Sequence, residues 1–455
     1  MRLIGGNISD SGVKRVSDGS AFNVGGGAAE APAVMTLGTA GTAGTFSNIV
    51  DCDSPWVARR IHTQHGAVDW GDNSKGYFFA DNGDSYKLKY CHLEFNSSTG
   101  ALATENSLVD LGSDLTIASD DSIEVVRVSS TRCLVFHLDV SSPRRTQMLV
   151  YDISSDTVSK HGSIQTKNHK FDDAGSFSYW AAAVIDSDYV AVFTEEAAGK
   201  ASGFIFKYTT TQSVGSEATA DDGAEGANYA QGKASYDSDG SKLYNCTGVW
   251  TVYEWTTSGT TLTYSDFLGQ NTTAYLDLPS HYNANATKHF RHDIEPGRYL
   301  SIYNNNPFQW PIDSTTGDGG GLLCVGATSS TNTSNQSIVP GIYFDPYNFN
   351  AYTHITNYGW GFVSIDYDSD TNWEKFVWVG KVDANNAGLM PINFNWKTLE
   401  VVTPTTAQCK NLGMGTNGYG DHTPVVFKTG DNGKAIFVIT QNTGTGVAYN
   451  YMPIS

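Results

Sequence analysis

Three aspartates alternate in Asp366-Tyr367-Asp368-Ser369-Asp370, and two alternate in Asp237-Ser238-Asp239. Carboxylates at this spacing are the oxygen ligands of calcium loops. The longer run departs from the rest of that pattern. Counted from Asp366, the sixth position is Thr371 where such a loop needs Gly, and the twelfth is Val377 where it needs Glu. Asp is also an ordinary turn residue, because its carboxylate accepts hydrogen bonds from the backbone just ahead of it. Turn formation is therefore the preferred reading. Asp366, Asp368 and Asp370 stand as the calcium candidates, and no other cofactor is expected.

Other reactive side chains do not assemble into a known catalytic spacing. Glu195 and Glu196 are adjacent, so on a strand they face opposite ways and cannot form the facing carboxylate pair of a glycosidase. His62, His65, His289, His292, His354 and His422 fall near the starts of β-rich units, but their spacing fixes no common point. The sequence holds no G-x-S-x-G, no phosphate-binding glycine loop and no H-E-x-x-H. Aromatic density is the stronger signal. Most tryptophans, Trp255, Trp373 and Trp396 among them, lie in or beside hairpin patterns and read as packing. Two Asn/aromatic stretches, YNNNPFQW at 303–310 and DPYNFNAY at 345–352, remain as candidate sugar contacts. There Tyr303, Trp310, Tyr347 and Tyr352 offer flat rings beside polar arms, the combination that stacks on a sugar and reaches its hydroxyls.

The elements that would position these residues recur along the chain. A β-rich run, a polar turn and a second β-rich run appear at 75–95, 131–153, 188–208, 241–255, 297–312, 360–382 and 433–452. A spacing of roughly 50–70 residues falls in the range of propeller repeats. Further β-like runs flank many of the units, as at 122–128, 157–165, 177–185, 261–268 and 353–360. Four strands per unit is the composition of a blade. No segment keeps helical apolar spacing over three turns. The chain is thus expected to be all-β: a single propeller of about seven four-stranded blades over residues 46–455. The alternative is two or three β-sandwich domains joined by Gly-rich loops such as 313–321. The last unit ends at the chain's end and lacks an outer strand, and residues 46–52, FSNIVDC, are the expected clasp.

Residues 1–45 differ from the rest. GGGAAEAPAVMTLGTAGTAGT is rich in Gly, Ala and Thr and nearly uncharged, and it reads as an N-terminal assembly arm. With 28 Lys and Arg against 47 Asp and Glu, the net charge of −19 argues against nucleic acid and anionic lipid as partners. No apolar run is long enough for a signal-peptide core or a membrane helix, so a soluble product of the cytoplasm is expected, with no membrane insertion. The six cysteines are scattered, without zinc spacing, and several lie in apolar runs such as RCLVFHL around Cys133. Buried free thiols are expected.

The Gly/Ala/Thr arm, the unprocessed start and the Asn/Thr/Ser-rich, Lys-poor β body together resemble structural proteins of tailed bacteriophages, in particular tail-fibre, tail-tip and nozzle-associated proteins. The likeness is one of style along the whole chain and supplies no catalytic residue. It implies a virion component that assembles through its arm with other virion proteins and copies of itself, and presents a propeller outward, in some cases to host-surface glycan. A polysaccharide-active enzyme with its site at the mouth of the propeller channel is the alternative.

Overall fold

The computed structural model describes residues 31–47, 66–70, 74–81, 88–112, 122–139, 145–154, 156–168, 180–196, 200–209, 211–220, 233–237, 241–246, 251–270, 288–290, 299–304, 320–326, 337–338, 342–344, 361–383, 386–396, 401–402, 404, 408–414, 425–441 and 447–454. These residues form seven antiparallel sheets. The first sheet runs Gly66–Trp70, Lys75–Asp81, Leu88–Phe95 and Leu102–Glu105, and the second Ser122–Ser129, Arg132–Asp139, Arg145–Ser154 and Thr157–Asn168. The third begins at Trp180–Val184, the fourth at Lys233–Asp237, the fifth at Lys288–Phe290 and the sixth at Gly361–Asp368. The seventh contains Val425–Thr429, Ala435–Gln441 and Val447–Pro453, and its outer strand is Gly44–Thr45. First strands of consecutive sheets lie against one another from the first sheet to the fifth, from the sixth to the seventh, and from the seventh back to the first. The chain is a seven-bladed β-propeller.

The sequence dictates this ring through strands that are apolar on both faces. On the second and third strands of blade 2, Cys133, Val135, Leu149 and Tyr151 pack against Tyr77, Leu88 and Tyr90 of blade 1. Their neighbours Leu134, Phe136, Met148 and Val150 point the other way, onto Val190, Val192, Phe204 and Phe206 of blade 3. Period-two alternation between two apolar faces produces the near-continuous hydrophobic runs in the sequence. Each such side chain taken fully from water contributes ~1.5–3 kcal/mol, and only packing between blades covers both faces. Cys91 and Cys133 are buried free thiols, as expected. Burial pushes the Cys91 thiol up to about 12.

One backbone bond recurs and aligns the blades. The residue at the close of the third strand donates to the carbonyl of the residue just before the second: Phe95 to Ser74, Ile153 to Thr131, Tyr208 to Asp188, Thr257 to Ser241, Trp396 to Asn372 and Ile454 to Lys434. Against this alignment, the repeats at 75–95, 131–153, 188–208, 241–255 and 433–452 are the hairpins of second and third strands. The repeat at 360–382 is one strand early and covers the first and second strands of blade 6. Its turn, DSDTN, is as strong a hairpin signal as the one that follows.

The ends of the chain close the ring, but with a different segment from the one the sequence suggests. The sequence places the clasp at 46–52, whereas Gly44 and Thr45 pair with Tyr449 and Ala448, and Leu37 bridges to Ile454. Phe46 joins this ladder through its N–H to Val447 O at 2.9 Å, and 48–52 lie outside the described residues. The described part of the expected arm, from residue 31 on, therefore belongs to the propeller, and residues 1–30 lie outside the described residues.

The repeat GTAGTAGT explains how so plain a segment is held. Gly44 pairs with Tyr449, Gly41 N–H donates to Tyr451 O at 2.9 Å, and Gly38 N–H donates to Pro453 O at 2.8 Å. Three residues of this strap thus span two residues of its partner strand, so it advances roughly 2.3 Å per residue against the ~3.4 Å of a strand. Every third residue from Gly38 to Gly44 lies against the partner strand, and at Gly41 and Gly44 there is no room for a side chain. A Cβ on Gly41 or Gly44 would fall within the rings of Tyr451 or Tyr449. Thr36, Thr39, Thr42 and Thr45 keep the same period on the exposed side. Buried Val34, Met35, Leu37 and Phe46 pin the register at both ends. The strap also crosses blade boundaries. Asn393 of blade 6 donates to Pro32 O and Ala33 O, and Ser47 donates to Glu105 of blade 1.

Candidate functional site at one end of blade 5

In every blade the strands are antiparallel and the first is innermost. Connections from second to third strand, and from the outer strand to the next blade, therefore leave from one face of the ring. Blade 5 stands apart on that face. Its second strand ends at Asn304 and its third begins at Gly320, so the connection is 305–319. In the other blades the same connection runs from 384–385, the shortest, to 82–87, the longest. Asn304 pairs with Gly320, and Gly320 pairs with Phe344, where the outer strand ends before 345–360. The two longest Asn/aromatic stretches of the sequence thus continue from neighbouring strand ends. Tyr303 lies one register position inside this end, opposite Gly321. Trp310, Tyr347 and Tyr352 lie outside the described residues. Long connections on a rigid scaffold are where binding residues concentrate.

The carboxylate runs sit at the opposite ends of their blades, in turns between first and second strands. Asp368 accepts from Asp370 N–H at 2.9 Å, from Thr371 N–H at 3.4 Å and from Thr371 Oγ1 at 2.7 Å. These bonds, the Thr371 hydroxyl first, hold its carboxyl below the usual carboxylate range. Asp366 pairs with Lys375 Nζ at 3.2 Å, and Asp370 is exposed. Asp186 makes the same turn in blade 3, accepting from Asp188 and Tyr189 N–H at 2.7 and 2.9 Å. Asp237 ends the first strand of blade 4, and Ser238 and Asp239 lie outside the described residues. Asp186 and Asp368 thus make the same turn in blades 3 and 6. Among the described residues no group of three His, Cys, Asp or Glu side chains is placed to hold a metal ion. Asp368→Ala is expected to lower the melting temperature slightly, on the order of 2 °C. A calcium-dependent rise in melting temperature that this substitution removes would overturn the turn assignment.

Glu195 and Glu196 take consecutive register positions at the end of the second strand of blade 3, opposite Ala201 and Lys200. His289 lies on the first strand of blade 5, and His62, His65, His292, His354 and His422 are outside the described residues. Trp255 and Trp396 are fully buried and Trp373 is 3% exposed.

Two polar clusters the sequence did not reveal lie on blades 1 and 2. On blade 2, Asp152 accepts from Arg132 Nε at 2.7 Å and meets His161 Nδ1 at 2.7 Å. Burial works against ionisation of Asp152, but the bonds from Arg132 and His161 prevail and hold its carboxyl low. At the seam between blades 1 and 2, His92 is 3% exposed, stacks on Tyr77 with ring centroids 4.9 Å apart, and keeps Nδ1 3.1 Å from Asn106 Nδ2. Among the described residues its Nε2 has no hydrogen-bond partner, with Asp156 Oδ1 3.9 Å away. Burial lowers the His92 pKa, which Asp156 and Glu94 raise and Lys75 lowers further. A base held low in the fold takes its proton more readily when unfolded, so stability is complete above the ordinary histidine range and falls as pH drops from ~6.5 toward the folded value. Urea midpoints between pH 7.5 and 5.5 are expected to decline less for His92→Gln than for the parent chain. An equal decline would remove His92 as the source.

No protein-family model and no curated protein matches this chain. Among solved structures it is similar to the N-terminal domain of Nup159, at 10% identity and a TM-score of 0.41, with 92% of this chain and 98% of that one covered. The lectin SapL1, solved with alpha methyl fucoside, gives 11% identity and a TM-score of 0.36 over 76% of this chain and 97% of the other. The WD40 domain of SCAP from fission yeast gives 7% identity and a TM-score of 0.39 over 91% of each chain.

Proposed function

We propose that this chain is a non-enzymatic virion structural or adhesion protein: residues 1–30 attach the ring to other virion proteins, and the end of blade 5 meets host-surface glycan. The observation that carries the reading is the meeting of Asn304, Gly320 and Phe344 at one end of blade 5, from which both Asn/aromatic segments continue. Aromatic faces beside amide side chains suit a sugar's apolar face and hydroxyls, and repeated copies would raise a weak contact by avidity. Two measurements test it. Full-length chain is expected to bind purified virion proteins, and residues 31–455 to stay folded and bind none of them. On a glycan array, the full-length chain is expected to bind without releasing reducing ends, and Trp310→Ala with Tyr347→Ala to lose that binding at an unchanged melting temperature. Release of sugar would replace this reading with the polysaccharide-active enzyme. No binding and no assembly would overturn it.

A further inference from the structure

We infer that the blade 7 edge carrying Tyr449, Tyr451 and Pro453 is an acceptor for the glycine-triplet strap of a second copy of this chain. The inference rests on the assembly reading above and names the surface and segment that join copies.

The strap is a self-contained ligand. Its recognition lies in Gly38, Gly41 and Gly44, whose missing side chains admit Pro453, Tyr451 and Tyr449, and in the flanking anchors Leu37 and Phe46. Phe46 meets Tyr449 in a tilted ring contact, with centroids 4.6 Å apart. Asn450 adds a side-chain bond to Gly41 O at 3.1 Å. None of these contacts depends on which molecule supplies the segment. When the strap lifts, the strand Val447–Pro453 becomes an open edge, and an open edge pairs with whatever chain offers a matching backbone. A second copy offers the same segment, already in the required three-to-two register.

The connection permits the exchange. Between Ser47 and Gly66 lie 48–65, and a stretch of that length reaches at most ~60 Å. A chain of this size has a radius of gyration of ~22 Å, hence a diameter near ~60 Å, so the strap can reach a neighbouring ring. Exchange of an identical element between copies keeps every contact and adds no new interface to be optimised. In a virion assembly that holds several copies side by side, effective concentration shifts the strap from its own ring to its neighbour's.

The test is a cross-link read by isotope. Thr45 and Ala448 are direct partners, and opposed strand residues lie within disulfide reach. Full-length chain carrying Thr45→Cys and Ala448→Cys is prepared with natural and with ¹⁵N nitrogen, and the two are mixed, unfolded, refolded at rising concentration and oxidised. Exchange predicts 45–448 peptide pairs of mixed isotope, approaching half of all pairs at high concentration. Adding Gly41→Val, which drives a side chain into Tyr451, is expected to remove them. Single-isotope pairs at every concentration would overturn the inference. Where the cysteine variant fails to refold, natural and ¹⁵N parent chains are refolded together at rising concentration and weighed by light scattering, and a mass of one chain at every concentration would overturn it. Multimers that vanish on deletion of 1–30, without mixed-isotope pairs, would sink strap exchange and leave the assembly reading standing.

Discussion

A chain beginning at residue 48 is expected to lose cooperative unfolding and to aggregate, whereas a chain beginning at residue 31 melts at the temperature of the full-length protein. The strap supplies the only outer strand of blade 7 among the described residues, and it also covers a seam. Met35 and Leu37 pack with Val377, Leu389 and Leu412 of blade 6 and with Ile436, Val438 and Met452 of blade 7. Phe46 sits at the other seam, with Leu93 and Phe95 of blade 1 and Phe437 and Ile439 of blade 7. Removing the strap opens a sheet edge and bares two hydrophobic seams together, which favours association through the edge. Point variants scale the effect: Leu37→Ala and Phe46→Ala are each expected to cost ~3 kcal/mol, as deletions of fully buried side chains do. Denaturant titration of both truncations decides it. A chain starting at residue 48 with an unchanged midpoint and slope would show that the ring closes without its strap.

Trp255→Ala is expected to be the most damaging single substitution within the ring, at ~4 kcal/mol, with Trp255→Phe nearer ~1–2 kcal/mol. Trp255 is fully buried at the seam of blades 3 and 4, with Phe193 of blade 3 at 5.5 Å and Tyr264 of its own blade at 5.5 Å between ring centroids. Its indole N–H donates to Asn245 Oδ1 at 2.6 Å, and Asn245 is itself 3% exposed. Alanine removes the ring and leaves a cavity. Phenylalanine keeps most of the volume but strands the Asn245 carbonyl without its donor. The graded loss separates packing from hydrogen bonding. Equal costs for the two variants would mean that the bond to Asn245, not the ring's volume, holds the seam.

Much of the architecture was legible because strands buried on both faces leave a dense signal. The hairpins around Cys133 and Ile436 could be read from apolar runs broken by Asp, Asn and Gly. The unit at 360–382 was misplaced by one strand because local turn chemistry marks hairpins without saying which strands they join. The alternating aspartates were legible as turns, and their recurrence before the second strand of blades 3 and 6 was a repeat signal that the calcium spacing obscured. The triads Arg132–Asp152–His161 and Tyr77–His92–Asn106 could not be read, because their members lie on different strands and meet only through register.

What the sequence determined by itself was the all-β class, the count of seven units and the need for a clasp from the N-terminal segment. Those follow from composition and short-range periodicity, which are properties of the chain alone. Only the tertiary structure decided that the clasp is GTAGTAGT. A strap read three residues to its partner's two has no strand periodicity of its own, and its glycines acquire meaning only beneath Tyr449 and Tyr451. Strand pairing within blade 5 likewise brought Asn304, Gly320 and Phe344 to one end of the blade. That meeting is a consequence of antiparallel register across residues far apart in the chain, and no local pattern encodes it.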